Sequence, residues 1–159
     1  SEMKDILREA RVMTPEGEVL VLDAGALELG YRTSCIPSKG YIVLEAVFGL
    51  KPGDRSAIEA RMKELSARRR EKQPLEYPSA GSTFKRPQGY FAGKLIEDAG
   101  LRGYQLGGAQ VSEKHCGFVI NKDNATALEI IKLIEEVQKR VKENSGVALE
   151  TEVKKVGEF

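Results

Sequence analysis

The sequence has few of the residues that build metal centres, disulfide frameworks and membrane spans. It contains one histidine, His115, and two cysteines, Cys35 and Cys116, among 159 residues. Two cysteines do not make a disulfide framework and no Cys/His cluster has ligand spacing, so we expect no metal site. The longest apolar runs, such as 41–44, are far shorter than the roughly 20 residues that span a bilayer. We therefore expect no membrane partner and a reducing, cytoplasmic location.

The sequence also lacks a charge imbalance and the common nucleotide-binding loops. Its 25 Lys and Arg residues nearly balance 24 Asp and Glu residues, for a formal net charge of +1. The one basic run, 68–70, is not interleaved with aromatic residues, so we predict no nucleic-acid partner. There is no GxGxxG after a strand and no GxxxxGK[ST], which argues against Rossmann and P-loop folds. The absence of a GxSxG elbow argues against a hydrolase triad.

The remaining pattern predicts an α+β domain. The composition, 41% apolar and 31% charged, is typical of a globular protein with a hydrophobic core. Periodicity and turn residues predict a hairpin at 6–22, a strand at 41–49 and two helices at 55–71 and 90–99. Two short strands at 104–111 and 117–120, a helix at 126–143 and a last strand at 147–153 are expected to follow. Because this order alternates only in part, we expect a mixed or antiparallel sheet packed with helices. Apolar residues on both faces of 41–49 indicate a central strand.

Residues 78–121 are the most informative stretch of the chain. They hold eight of the sixteen glycines together with the only histidine. Glycine at this density marks tight turns and close approaches of the backbone. A serine, Ser82, lies there beside Lys85 and Arg86, which suits an anionic ligand. The residues leave three roles open for this serine: phosphate binding, nucleophilic attack and proton donation.

Other candidate residues have a structural and a functional interpretation. Arg32 is either a surface arginine or a site residue, and His115 is either a hydrogen-bonded structural histidine or a catalyst. Glu150 and Glu152 are expected side by side on one strand face, as solvated carboxylates or as a site. The basic run 68–70 either compensates a helix dipole or clamps an anion.

Several ordered motifs carry a resemblance to a known family. The longest are GSTFKRP at 81–87, GYFAGKLIE at 89–97 and GGAQVS at 107–112, joined in the right order by EMKD at 2–5, GYRTS at 30–34 and LETEV at 149–153. Together they resemble UDP-N-acetylenolpyruvoylglucosamine reductase, the flavoenzyme of bacterial peptidoglycan precursor synthesis. The resemblance covers essentially the whole chain. The shorter subclass is indicated, because the tyrosine-containing insertion of the other subclass is absent.

The resemblance implies a reaction and the residues for it. In this family NADPH reduces FAD, the reduced flavin passes hydride to the enolpyruvyl double bond of a UDP-sugar, and a serine protonates the adjacent carbon. By motif, Ser82 is the serine, and Arg32 and Glu152 are the other catalytic groups. A fixed guanidinium would stabilise the enolate-like charge as it develops. The implied UDP-sugar ligands are Arg86, Lys85, Lys72, Gln110 and His115, although part of the family has a shorter amide at the position of Arg86.

The resemblance also implies a division of the chain. The family's main flavin-binding domain, with its glycine-rich pyrophosphate loops, precedes the motif at 2–5. We therefore expect residues 1–38 to be the tail of that domain and 39–159 to be a substrate-binding domain. With no initiating methionine and no targeting pattern, the chain is expected to be a fragment that binds flavin weakly or not at all and does not turn over. The alternative is a non-catalytic nucleotide-sugar-binding module.

Overall fold

The computed structural model describes residues 2–158, and the chain divides into two compact units, 1–58 and 59–159. This boundary differs from the one expected after residue 38, because a strand at 42–48 pairs with a strand at 7–13. The assignment of the two parts to flavin and substrate binding stays a prediction. Every strand pairing in the described residues is antiparallel, and the sheets pack with helices, which confirms the α+β class.

Unit 1 is built on the predicted hairpin. Strands β1 (Leu7–Met13) and β2 (Val19–Asp23) pair antiparallel around a turn in which Gly17 has a φ of 87°. The short helix α1 (Cys35–Lys39) follows, capped by the Ser34 hydroxyl. The small core of the unit consists of Leu7, Ala10, Val12, Leu27 and Cys35.

The third strand of unit 1 does not occupy the predicted position. β3 (Ile42–Phe48) pairs with β1 alone, in the order β2-β1-β3, so among residues 2–158 the central strand is β1. All seven side chains of β3 are exposed in this structure. Apolar residues on both faces of a strand indicate that both faces are to be covered by other side chains. They do not indicate how many neighbouring strands the backbone pairs with, and that number decides whether a strand is central. The prediction of a central strand at 41–49 is therefore wrong for this chain.

Helix α2 (Arg55–Lys72) begins where the sequence predicts but does not bury its predicted apolar face. Asp54 caps it, accepting a hydrogen bond of 2.8 Å from the Ala57 amide. Its apolar residues at helical spacing are exposed, with Met62 at 64%. The spacing of apolar residues predicts that a helix has an apolar face, but it does not show whether another part of the chain covers that face.

Unit 2 holds a second sheet and the main core. Strands β4 (Gln105–Leu106), β5 (Ala109–Val111) and β6 (Val119–Asn121) form it in the order β4-β5-β6. Helices α3 (Ala92–Asp98) and α4 (Ala127–Ser145) contribute to the core, and α4 buries Leu133, Ile134, Val137 and Val141. The amphipathic helix predicted at 126–143 is confirmed. Within residues 2–158, no helix has both the length and the apolarity needed to traverse a bilayer.

Two strand predictions in unit 2 are wrong. The strand predicted at 104–111 is a hairpin of β4 and β5, because Gly107 adopts a left-handed φ of 57° between them. The strand predicted at 147–153 is an extended segment with one isolated bridge, Thr151 to Phe84. Leu149 in this segment is buried. An apolar residue between polar ones is therefore not specific to a strand, because an irregular segment packed on the core can also bury one side chain.

The N-terminus of α4 offers a stability test. The Thr126 hydroxyl accepts a 3.2 Å hydrogen bond from the Glu129 amide, and the Glu129 carboxylate accepts one of 2.8 Å from the Thr126 amide. Thr126→Ala should therefore lower the free energy of unfolding by about 1 kcal/mol, measured by urea denaturation. Thr126→Ser keeps the hydroxyl and should stay close to the parent. Equal losses in the two variants would contradict the capping role.

Candidate active site

Ser82 lies on an extended segment that is fastened to β6. The Asn121 amide donates to the Pro78 carbonyl at 2.9 Å, and the Thr83 amide donates to the Gly117 carbonyl at 2.8 Å. The Thr83 hydroxyl accepts from the Val119 amide at 2.9 Å, and Thr83 is only 2% exposed. Thr83 and Phe84 are both buried, whereas Ser82, the residue before them, is exposed.

The C-terminal segment is also hydrogen-bonded to this loop. The Glu152 amide donates to the Thr83 carbonyl at 2.9 Å, and the Lys85 amide donates to the Glu150 carbonyl at 2.8 Å. Tertiary structure thus brings Glu152, which is half-buried, next to the residue that follows Ser82. The Glu150 carboxylate pairs with the Lys85 ammonium at 3.1 Å, so it is not simply a solvated carboxylate.

Ser82, Arg86 and His115 line one cavity of about 400 Å³. Three further cations from later parts of the chain line it as well, namely Lys94, Arg102 and Lys114. Among the described residues that line the cavity, Glu97 provides the one carboxylate. The sequence did not predict these three lining cations, because they are far from Ser82 along the chain and no local pattern links them to it. The cavity therefore suits an anionic ligand more strongly than the local motif indicated.

The cations of this cavity differ in their protein partners. Lys94 pairs with Asp98 at 2.5 Å, Arg102 with Glu97 at 2.7 Å and Lys114 with Glu76 at 3.4 Å. The hydrogen bonds from Lys94 to Asp98 and from Arg102 to Glu97 raise the pKa values of both cations, which stay protonated.

Arg86 is the exception. No carboxylate of residues 2–158 pairs with it, and its Nε donates to the Tyr90 carbonyl at 3.3 Å. Its guanidinium carbon also lies 4.0 Å from the centroid of the Phe91 ring.

His115 has both a structural and a ligand-facing aspect. Its Nδ1 accepts a 3.1 Å hydrogen bond from the Gly117 amide, and its ring meets that of Phe118 edge-on at 5.0 Å. A Cβ atom on Gly117 would come within 3.0 Å of the imidazole, and one on Gly93 within 3.4 Å, so both glycines make room for this ring. With Nδ1 accepting, the neutral imidazole carries its hydrogen on Nε2, where it can serve as a donor.

The neighbouring Cys116 is a neutral lining group. Burial raises the pKa of its thiol, which is 4% exposed. Both cysteines are free. Within residues 2–158 no three His, Cys, Asp or Glu side chains are arranged to hold a metal ion.

Several predicted ligands lie outside this cavity. Gln110 is 8% exposed, donates to the Gly103 carbonyl at 3.2 Å, and lines a second cavity of about 170 Å³. Lys72 is the exposed last residue of α2 and lines neither cavity. In the basic run, Arg68 pairs with Glu64 at 2.5 Å, which favours the solvated-helix interpretation.

Arg32 lies in unit 1, in a tight turn between Gly30 and Thr33. The Gly30 amide donates to the Thr33 carbonyl at 3.0 Å, and the Thr33 amide donates to the Gly30 carbonyl at 3.3 Å. Arg32, between them, has a left-handed φ of 56°. Its guanidinium lies 5.4 Å from the centroid of the Tyr31 ring. A non-glycine residue in this backbone region is strained, and such strain is found disproportionately at functional sites.

Comparisons with known proteins agree with this geometry. The family described as UDP-N-acetylenolpyruvoylglucosamine reductase, C-terminal domain, matches residues 73–156, which is more than half of the chain. The chain belongs to the UDP-N-acetylenolpyruvoylglucosamine reductase family. The family resemblance drawn from the sequence motifs is thereby confirmed.

Relatives of this family match nearly the whole chain. A UDP-N-acetylenolpyruvoylglucosamine reductase of Agathobacter rectalis is 60% identical over 99% of the chain, which covers 50% of the relative. The reductase of Lachnoclostridium phytofermentans is 59% identical over 99% of this chain, and the match covers 51% of that reductase. The crystal structure of the Thermus caldophilus reductase matches with a TM-score of 0.80 and 34% identity, over 97% of this chain and 54% of that one. The chain thus spans about half the length of the relatives it matches.

Thr83 provides a test of how this reductase-family site is held. Thr83→Val removes the hydroxyl that accepts from the buried Val119 amide. Leaving that donor unpaired should cost about 1–3 kcal/mol of unfolding free energy. Urea denaturation measures the loss, and Thr83→Ser, which keeps the hydroxyl, should recover most of it. A valine variant as stable as the serine variant would contradict the anchoring role.

Proposed function

We propose that this chain supplies the substrate-binding part of a UDP-N-acetylenolpyruvoylglucosamine reductase, an oxidoreductase of peptidoglycan precursor synthesis. The longer protein would reduce the enolpyruvyl group of a UDP-sugar to give UDP-N-acetylmuramate. The observation that carries this proposal is the placement of Ser82 in a cavity lined by Arg86 and three other cations, in a chain of this family.

The cavity matches the chemistry of a UDP-sugar. Its volume of about 400 Å³ is within the usual range for small-molecule sites, roughly 300–1,000 Å³. A diphosphate carries negative charge that four cationic side chains can neutralise. Because three of these cations are already paired with carboxylates, a ligand phosphate would compete with existing ion pairs at those positions and bind Arg86 without such competition.

Ser82 is the proposed proton donor. A serine is a weak acid, so it donates well only where its geometry is fixed and nearby cations favour the alkoxide. The hydrogen bonds of Thr83 fix the backbone beside it. Lys85 is engaged by Glu150, so we assign the cationic surroundings of Ser82 to the cavity instead. Arg32 as the stabiliser of enolate charge and Glu152 as an orienting group remain parts of this proposal.

We propose FAD and NADPH as the cofactors of the longer protein, where the flavin would supply hydride. We infer that this chain does not hold a flavin by itself. At three of its glycines the nearby space is taken by the chain's own groups. A Cβ on Gly108 would meet the Asp123 carbonyl at 2.1 Å, one on Gly117 would come within 3.0 Å of the His115 ring, and one on Gly93 would touch that ring at 3.4 Å. We therefore assign no step of hydride transfer to residues 2–158. The same observation favours a second candidate, a nucleotide-sugar-binding module without catalysis.

Both candidate functions require this chain to bind a UDP-sugar, so ligand binding to the isolated chain tests them together. Isothermal titration should detect UDP-N-acetylglucosamine enolpyruvate, and Arg86→Ala should weaken its binding about tenfold or more, as expected for a charge-assisted contact. Arg68→Ala is the matched control, since Arg68 pairs along its own helix with Glu64. Absence of binding by the parent chain, or equal weakening in both variants, would contradict the assignment.

Catalysis by Ser82 requires a complete reductase, obtained by joining this chain to the preceding half of the Agathobacter rectalis relative. Ser82→Ala should leave reduction of the enzyme by NADPH unchanged and slow its reoxidation by the UDP-sugar by about 10²–10⁴-fold, followed by stopped-flow absorbance. Ser66→Ala on the exposed surface of α2 is the matched control.

The unfused chain is a second control for this experiment. It should carry no stoichiometric yellow flavin absorbance and should not turn over. Equal slowing of both half-reactions would contradict proton donation by Ser82, and a fusion that binds substrate but never turns over would favour the module.

A further inference from the structure

Phe91 lines the cation-lined cavity without a role in the function proposed above. It occupies the residue before α3, where its side chain makes no capping hydrogen bond, and it is 63% exposed. The helix is secured instead by Ala92, Leu95 and Ile96, which are buried in the core. The ring of Phe91 therefore contributes little to the packing of its own helix.

The contact that the Phe91 ring does make is with Arg86. The guanidinium carbon lies 4.0 Å from the ring centroid, well inside the roughly 6 Å over which a cation is attracted to an aromatic face. The Tyr90 carbonyl holds Nε of the same guanidinium at 3.3 Å. Two consecutive residues, one through its backbone and one through its ring, thus fix the orientation of Arg86.

This arrangement leaves the ligand-binding part of the guanidinium open. A guanidinium that lies over an aromatic ring can still make hydrogen bonds to phosphate in its own plane. The Tyr90 carbonyl takes only Nε, and among residues 2–158 no carboxylate pairs with the terminal nitrogens. The other cations of the cavity each have a carboxylate partner. Arg86 is therefore the cation best prepared for bidentate binding of a phosphate.

We propose that Phe91 is a positioning residue, which stacks on Arg86 and holds its guanidinium ready to bind the diphosphate of the ligand. This inference rests on the proposed function, since it takes a UDP-sugar as the ligand. It explains why a large aromatic side chain stays exposed at the edge of a charged cavity. Phe91 would act through Arg86 and not by touching the reacting atoms.

A double-mutant cycle tests this role in the chain as it exists. Isothermal titration with UDP-N-acetylglucosamine enolpyruvate, and separately with inorganic pyrophosphate, is applied to the parent, Phe91→Ala, Arg86→Ala and the double variant. Loss of an exposed cation–π contact should weaken binding roughly two- to fivefold in Phe91→Ala. The double variant should bind no more weakly than Arg86→Ala, because without the guanidinium the ring has nothing to position.

Two substitutions separate stacking from packing. Phe91→Tyr keeps an aromatic face and should bind like the parent, whereas Phe91→Leu keeps apolar bulk and should bind like the alanine variant. Leu128→Ala removes an exposed apolar side chain outside the cavity and is the matched control. Urea denaturation should give closely similar stabilities for all Phe91 variants. Full recovery by leucine, or equal weakening with and without Arg86, would overturn the positioning role.

The two ligands distinguish this inference from the proposed function. If pyrophosphate binding depends on the pair while the UDP-sugar does not bind, the positioning role stands and the proposed function fails. If the UDP-sugar binds equally well to the parent and to Phe91→Ala, the function stands and the positioning role is overturned. Binding of neither ligand overturns both.

Discussion

The hydrogen bonds of Thr83 are the interaction on which the candidate site depends. Its amide, hydroxyl and carbonyl are bonded to three different residues, Gly117, Val119 and Glu152. Through them one buried residue ties the serine loop to β6 and to the C-terminal segment. Each partner is far from Thr83 along the chain, so closing these contacts orders three segments at once. Ser82, the residue before Thr83, is exposed and lines the cavity.

Electrostatics determine which cation of the cavity is available to a ligand. Grouping four cations around about 400 Å³ is unfavourable by itself, and carboxylates beside three of them reduce that repulsion. Arg86 is stabilised differently, by an aromatic face and a carbonyl dipole, which neutralise no charge. A cation held by neutral groups retains its full attraction for an anion. The cavity therefore has both a fixed cationic anchor for an anion, Arg86, and cations that can exchange partners.

The glycine-rich stretch has a different meaning from the one its composition indicated. Gly93 and Gly117 admit the ring of His115, and Gly108 admits the backbone before α4. These close approaches are internal to unit 2, so the chain's own groups take up the space beside these three glycines. The anion-binding character comes instead from side chains around the cavity.

Local signals in the sequence determined the family, the α+β class and the ends of the capped helices. Asp54 and the Thr126–Glu129 pair are local devices, in which a side chain bonds to backbone within one helical turn, so the sequence alone locates them. Tertiary structure alone decided the order of β1 and β3, the pairing of Lys85 with Glu150, and the entry of Lys94, Arg102 and Lys114 into the cavity of Ser82. These features depend on which distant segments meet, and a sequence pattern records the environment that a residue needs without recording which residue provides it.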